Sequence, residues 1–88
     1  MGSVDPDAVL GDELHAARLE AGLTLEAAAE RAGLSPTRLA GVEGGDGLLV
    51  VADLVPLLRA CGTSLARFGA RYEAALHRAE GGRDEGPG

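Results

Sequence analysis

The chain has 88 residues, and 45% of them are apolar, yet it contains one Tyr, one Phe and no Trp. A core with so few aromatic side chains must be built from Leu, Val and Ala, and a chain this short favours one small domain over a large enzyme with a deep pocket. Fourteen carboxylates against eight arginines give a formal net charge of −6. That sign excludes a protein held to nucleic acid by bulk charge alone, so any contact with DNA must depend on local chemistry.

Signals for export and for membrane insertion are lacking. No run approaches the roughly 18 consecutive apolar residues of a membrane span, and the first residues have no basic segment typical of a signal peptide. Cys61 is the only cysteine, so an internal disulfide is excluded. We therefore expect a soluble, cytoplasmic protein. The abundance of Ala, Gly and Arg with no Lys is typical of a GC-rich bacterial genome.

The predicted elements begin with two helices whose ends carry capping residues. Apolar residues recur at helical spacing over residues 9–21, and Gly22 follows as a C-terminal cap. Thr24 is the predicted N-cap of a second helix over residues 25–32. Gly33 then ends this helix, because glycine adopts the left-handed conformation at no steric cost.

Three further helices follow the second. Ser35 is the predicted N-cap of helix three, which begins at a proline and ends near Glu43. Helix four is predicted over residues 50–60, where Pro56 removes one hydrogen bond and bends the helix. Helix five is predicted over residues 65–79 and is the longest of the set.

These helices predict an all-α fold of five helices with disordered termini. The domain is expected to cover residues 9–79, between a flexible N-terminus over residues 1–8 and a disordered C-terminal tail over residues 80–88. Both ends are polar and rich in Gly, Pro and carboxylates, so they cannot bury enough apolar surface to offset the entropy lost on ordering.

Helices two and three carry the pattern of a helix-turn-helix. Ala29 is small, which lets a second helix cross close above it, and Gly33 permits the sharp turn. Leu34, Leu39 and Val42 are spaced to point inward and close the wedge. This pattern indicates that helix three is presented outward by its neighbours.

The sequence resembles the phage-repressor-like (Cro/XRE) helix-turn-helix family over about residues 9–68. The resemblance is carried by the segments LGDELHAARLEAGLT, AERAGLSPTRL, VEGG and LLRACGTSL. It implies an all-α, five-helix repressor-like helix-turn-helix domain with disordered termini. It also implies a small transcriptional regulator that binds double-stranded DNA as a dimer, with helix three in the major groove. It also implies a partly buried ion pair between Arg18 and Glu43.

On this resemblance, the residues facing DNA lie at the start of helix two and along helix three. They are Thr24, Ser35, Thr37, Arg38 and Gly41. Arg38 is the only one of them able to bind guanine O6 and N7 together. The surrounding positions depart from the family, because Leu25 replaces a common Gln and the outer face of helix three offers few donors. Binding by the isolated protein should therefore be weak, with a shallow salt dependence.

The same acidic balance supports an alternative function from another class. A helix-turn-helix scaffold that lacks a basic face could act as a protein–protein interaction module, as an antitoxin-like or co-regulator subunit does, with weak or no DNA binding. Salt-dependent binding to a duplex would distinguish the regulator from this module.

The apolar run before helix four has two interpretations. In the first, Val51 and Leu54 fill the core while Leu48 and Leu49 cover its edge. In the second, Leu48, Leu49 and Val55 form a surface for self-association or for a partner protein, since small domains rarely leave contiguous apolar surface in water.

No catalytic, metal or cofactor site is predicted. His15 and His77 lie far apart without metal-ligand spacing and are expected at the surface, and Cys61 is expected to be a small buried hydrophobic residue. The glycine-rich segment after helix three follows a helix instead of a strand and has no Lys, so it does not match a phosphate-binding loop.

Overall fold

The computed structural model describes residues 4–47 and 49–81. Within them the chain forms helices only, which confirms the expected all-α fold. The helices are α1 (Pro6–Glu20), α2 (Leu25–Ala32), α3 (Pro36–Glu43), α4 (Val51–Ala60) and α5 (Leu65–Gly81). None of these helices is long and apolar enough to cross a membrane.

Helix α1 begins three residues earlier than the sequence predicted. Asp5 is its N-cap, and a carboxylate oxygen of Asp5 accepts a hydrogen bond of 3.0 Å from the backbone N–H of Asp7. Pro6 occupies the first helical position, where its missing N–H has no consequence. Residues 6–8 of the predicted flexible segment are therefore the first turn of a capped helix.

Helix α5 extends two residues beyond its predicted end. It reaches Gly81, so residues 80–81 of the predicted tail are helical. The segment before Gly81 contains Ala, Glu and Arg, which favour helix, and no residue that would stop it. The rest of that tail, residues 82–88, lies outside the described residues.

The core lies between α1, α2, α4 and the long α5, with α3 packed against α1 and α2. Its largest fully buried side chains are Phe68, Leu14, Leu39, Leu57, Leu58 and Val42. Ala28 and Ala29 are completely buried and contribute little volume, which allows the backbone of α2 to approach its neighbours closely. The arrangement holds α3 at one side of the domain.

Arg71 joins α5 to α1 across the surface of this core. Its Nη1 and Nη2 donate to the two carboxylate oxygens of Glu20 at 2.8 and 3.2 Å, and its Nε donates to Glu13 at 3.2 Å. The hydrogen bonds to Glu20 raise the pKa of Arg71. Because this network is partly exposed, it contributes little to the free energy of unfolding.

Helix α4 places its apolar residues differently from the first interpretation. Val51, expected in the core, has 62% of its surface exposed. The fully buried residues of α4 are Leu57 and Leu58, in its second half, so the first turn projects beyond the edge of the core. Leu54 is half-buried and packs against the core as expected.

Candidate nucleic-acid interface

The turn between α2 and α3 has the geometry of a helix-turn-helix. Gly33 caps α2 in the left-handed conformation, with φ 74° and ψ 27°. The backbone N–H of Leu34 then donates to the carbonyl of Ala29 at 2.8 Å, and the Leu34 side chain turns into the core. The hydrogen bond and the buried Leu34 side chain hold the residues just before α3 against α2 and the core.

Helix α3 has a buried face and an exposed face. Leu39 and Val42 are almost entirely buried, as the wedge pattern predicted. Thr37, Arg38 and Ala40 are exposed. The first turns of α3 therefore present side chains to solvent on a helix whose position is determined by its inner face.

Two of the hydroxyl groups expected to face DNA are helix caps. The Thr24 hydroxyl oxygen accepts a hydrogen bond from the backbone N–H of Ala27 at 3.0 Å, and that of Ser35 accepts one from Arg38 at 3.1 Å. A hydroxyl group that accepts a hydrogen bond still has its own O–H to donate. Both side chains are at exposed positions, so each can donate to an anion in front of the helix.

Arg38 forms an ion pair with a carboxylate from another helix. Its Nη2 lies 3.1 Å from Oδ2 of Asp53, in the first turn of α4. The Arg38 side chain is 43% exposed and that of Asp53 is 31% exposed. Arg38, the residue expected to contact guanine, is therefore already paired with a carboxylate of the same chain.

Gly41 is less accessible than its place on the outer face of α3 suggested. A Cβ added at Gly41 would collide with the carboxylate of Asp46, which lies over this position. The backbone N–H of Asp46 donates to the Gly41 carbonyl at 3.0 Å and holds the loop against the helix. The loop after α3 therefore folds back over Gly41, and a contact between Gly41 and DNA stays a prediction.

Arg18 and Glu43, which the family resemblance pairs, are in contact. Arg18 Nε donates to Glu43 Oε2 at 2.7 Å and Nη2 donates to Oε1 at 2.9 Å, with side chains only 10% and 8% exposed. Arg18 Nη1 also donates to the carbonyl of Leu23 at 3.0 Å. This network ties α1 to the end of α3 and to the turn before α2.

Burial alone would raise the pKa of the Glu43 carboxyl, but the hydrogen bonds from Arg18 and His15 outweigh it and the net pKa lies below its ordinary value. The hydrogen bond to Glu43 also raises the pKa of Arg18. Both residues are therefore charged at neutral pH, and the pair is fully formed there.

His15 is at the surface, as expected, and also contacts this pair. Its Nδ1 lies 2.9 Å from Glu43 Oε1 and 3.1 Å from Arg18 Nη2. No sequence pattern predicted this contact, because 28 residues separate His15 from Glu43. Among the described residues no group of His, Cys, Asp and Glu could hold a metal ion.

Of the apolar residues expected to form an interface, the two that the structure describes are half-buried. Leu49 packs against the core and Val55 is half-buried, while Leu48 lies outside the described residues. The valines at the start of α4 are the exposed ones, with 58% of Val50 and 62% of Val51 accessible. Neither was named in the predicted interface.

Cys61 is half-buried instead of fully buried. It lines a cleft of about 400 Å³ between the end of α1 and the start of α5, together with Glu20, Arg67 and Arg71. Burial raises the pKa of the Cys61 thiol, so the thiolate is disfavoured. The expected buried position is wrong, because the turn after α4 opens onto this cleft.

An outward α3, a tight glycine turn and a buried wedge define a helix-turn-helix domain of the DNA-binding type. The profile of a family described as a helix-turn-helix domain matches residues 9–69. The chain belongs to this family, and so to the class of small DNA-binding regulators of transcription.

Solved structures agree with this assignment. The chain is similar to a crystal structure of the clp gene regulator ClgR from Corynebacterium glutamicum, with a TM-score of 0.82, 25% sequence identity, and coverage of 90% of this chain and 84% of that one. A second crystal structure of ClgR gives a TM-score of 0.78 at 25% identity, covering 85% of this chain and 96% of that one. No curated protein matches the chain.

Proposed function

We propose that α3 is the recognition helix of this regulator and enters the major groove of double-stranded DNA. The observation that supports this most strongly is the exposure of Thr37 and Arg38 on a helix whose opposite face, at Leu39 and Val42, is buried. Arg38 is the proposed reader of guanine O6 and N7. Thr37 contacts a neighbouring base or phosphate. The protein acts in the cytoplasm, without catalysis and without a cofactor.

The hydroxyl groups of Thr24 and Ser35 are proposed to position the domain on the DNA backbone. Each lies at the start of a helix, where the dipole favours an anion. Each hydroxyl donates a hydrogen bond to a phosphate oxygen while its own oxygen continues to accept the capping hydrogen bond. Contacts of this kind orient the protein but do not read sequence.

Affinity for DNA is proposed to be modest. Arg38 is the only basic residue of α3, and the carboxylates of Asp46 and Asp53 lie beside its outer face. Few phosphates can be neutralised by such a surface, so the salt dependence should be shallow. Two copies acting together on a two-fold site would supply the affinity that one copy lacks.

A second candidate function is binding to another protein or to a second copy of this chain. The observation that favours it is the pair of exposed valines, Val50 and Val51, at the start of α4. Sedimentation of the wild type and of the Val51→Asp variant over a range of concentrations tests this function. Self-association that the variant abolishes would support it, and a monomer at every concentration would exclude the homodimer.

The main proposal is tested by titrating a fluorescent duplex at low and moderate salt with matched arginine variants. The segments Ser35–Arg38 and Ser64–Arg67 are alike, because each Ser accepts a hydrogen bond from the backbone N–H of the Arg three residues later, at 3.1 and 3.2 Å. Arg38→Ala and Arg67→Ala therefore remove the same group from equivalent helix positions.

For a duplex selected by the wild-type chain from a randomised library, we expect Arg38→Ala to weaken binding about tenfold at both low and moderate salt, because it removes the guanine contact. We expect Arg67→Ala to leave the affinity unchanged at both salt concentrations. Equal losses in the two variants would contradict α3 as the contact surface, and no binding by the wild type at tens of micromolar would contradict DNA binding itself.

A further inference from the structure

The pairing of Arg38 with Asp53 places an acidic side chain inside the proposed DNA-facing surface. Each residue is the third of its helix, and their contact joins the first turn of α3 to the first turn of α4. Both side chains are partly exposed, and ion pairs of this kind are weak. A ligand that binds Arg38 well can therefore draw it away from Asp53.

Competition for Arg38 has different outcomes on different DNA sequences. A phosphate offers the guanidinium a contact but also faces the negative charge of Asp53. Guanine offers two acceptors, O6 and N7, at the spacing of two guanidinium N–H groups, and it carries no net charge. Asp53 thus opposes phosphate contacts made anywhere along DNA more than it opposes the guanine contact made at the correct sequence.

We propose that Asp53 is a specificity-determining residue of the DNA-binding surface, which acts by holding Arg38 away from phosphates until a correctly placed guanine displaces the carboxylate. This inference rests on the proposed function of α3. The repulsive charge of Asp53 lowers affinity for the wrong DNA sequence more than for the right one.

The test uses a binding sequence selected by the wild-type chain from a randomised duplex library, and a scrambled duplex of equal length and composition. Dissociation constants for both duplexes are measured at one salt concentration for the wild type and for Asp53→Asn, which keeps the shape of the side chain and removes its charge. We expect the scrambled duplex to bind the variant about fivefold more tightly, while the selected duplex gains at most about twofold. The ratio of the dissociation constant for the scrambled duplex to that for the selected duplex then falls.

Two controls separate this effect from a general change of charge. Glu73 is an exposed residue of α5, so Glu73→Gln changes the net charge equally without touching Arg38, and we expect it to leave the ratio unchanged. In an Arg38→Ala background, Asp53→Asn should no longer alter the ratio, because the residue through which it acts is gone. Asp53→Ser provides a second neutral variant should the Asn variant fail to fold, as judged by circular dichroism.

The outcomes are distinct. An unchanged ratio in Asp53→Asn, or the same fall in the Arg38→Ala background, would overturn the role of Asp53 while leaving DNA binding by α3 intact. A wild-type chain that binds neither duplex would overturn the proposed function, and this inference with it.

Discussion

Gly11 of α1 lies directly against the backbone at the end of α3. A Cβ built on Gly11 would stand 2.5 Å from the carbonyl oxygen of Val42 and 2.6 Å from that of Glu43. The missing side chain lets α1 approach α3 at the turn where Arg18 also contacts Glu43. The position of the proposed recognition helix therefore depends on a glycine in another helix.

Gly11→Ala should destabilise the domain by about 1–3 kcal/mol, because the added methyl group meets backbone atoms that cannot move aside without shifting α3. Gly69→Ala in α5 is the matched control, since its Cβ would meet nothing within 4 Å. Alanine is the better helix former, so that control should gain about 0.5–1 kcal/mol. Urea unfolding measures both. A stabilised Gly11→Ala variant would contradict the close approach.

Arg18→Ala should cost about 3 kcal/mol of unfolding free energy, because it leaves the buried carboxylate of Glu43 without its partner. It also removes the hydrogen bond to the Leu23 carbonyl. Arg31→Ala, at an exposed position of α2, is the control and should change stability by less than about 0.5 kcal/mol. Thermal and urea unfolding provide the comparison, and equal losses in the two variants would contradict the structural role of the pair.

The free energy of unfolding should depend on pH through the Glu43 carboxylate. Its pKa is lowered in the folded state, so its contribution is fully present above the unfolded value of about 4.5. Below that pH the unfolded chain takes up a proton at Glu43 that the folded chain does not, and the contribution is lost as pH falls through the folded pKa. Urea unfolding from pH 7 to pH 3 should show the advantage of wild type over Glu43→Gln shrinking. An advantage that stays constant would exclude this linkage.

Gly33→Ala should destabilise the domain by about 1–2 kcal/mol, because an L side chain is strained at the φ of 74° that ends α2. The site is otherwise open, with nothing within 4 Å of an added Cβ, so the cost is conformational and not steric. Gly33→Asn should lose less, since Asn tolerates the left-handed region. Equal losses for Ala and Asn, measured by urea unfolding, would argue against this explanation.

The sequence predicted the helix-turn-helix well, because its determinants are local. Thr24, Gly33 and Ser35 determine where α2 and α3 begin or end through hydrogen bonds and conformations that span only a few residues. The inward positions Leu39 and Val42 follow from helical spacing. Arg18 and Glu43 lie 25 residues apart, and only the family resemblance brought them together.

The details that modify the site were not predictable in the same way. Asp53 reaches Arg38 only because the first turn of α4 lies next to the first turn of α3, and Asp46 covers Gly41 only because the intervening loop folds back. Val51 continues the spacing of the core residues of α4, yet it lies in a turn that extends past the core. Such contacts depend on where helices end relative to one another, which periodicity does not encode.

The central claim, that α3 meets DNA, is tested most directly by amide chemical shifts of the ¹⁵N-labelled chain titrated with duplex DNA at low salt. We expect the largest changes at Thr24, at Ser35 and over residues 37–41, with little change around Arg67 in α5. Changes concentrated on α5, or none at saturating duplex, would contradict the assignment of α3 as the recognition helix.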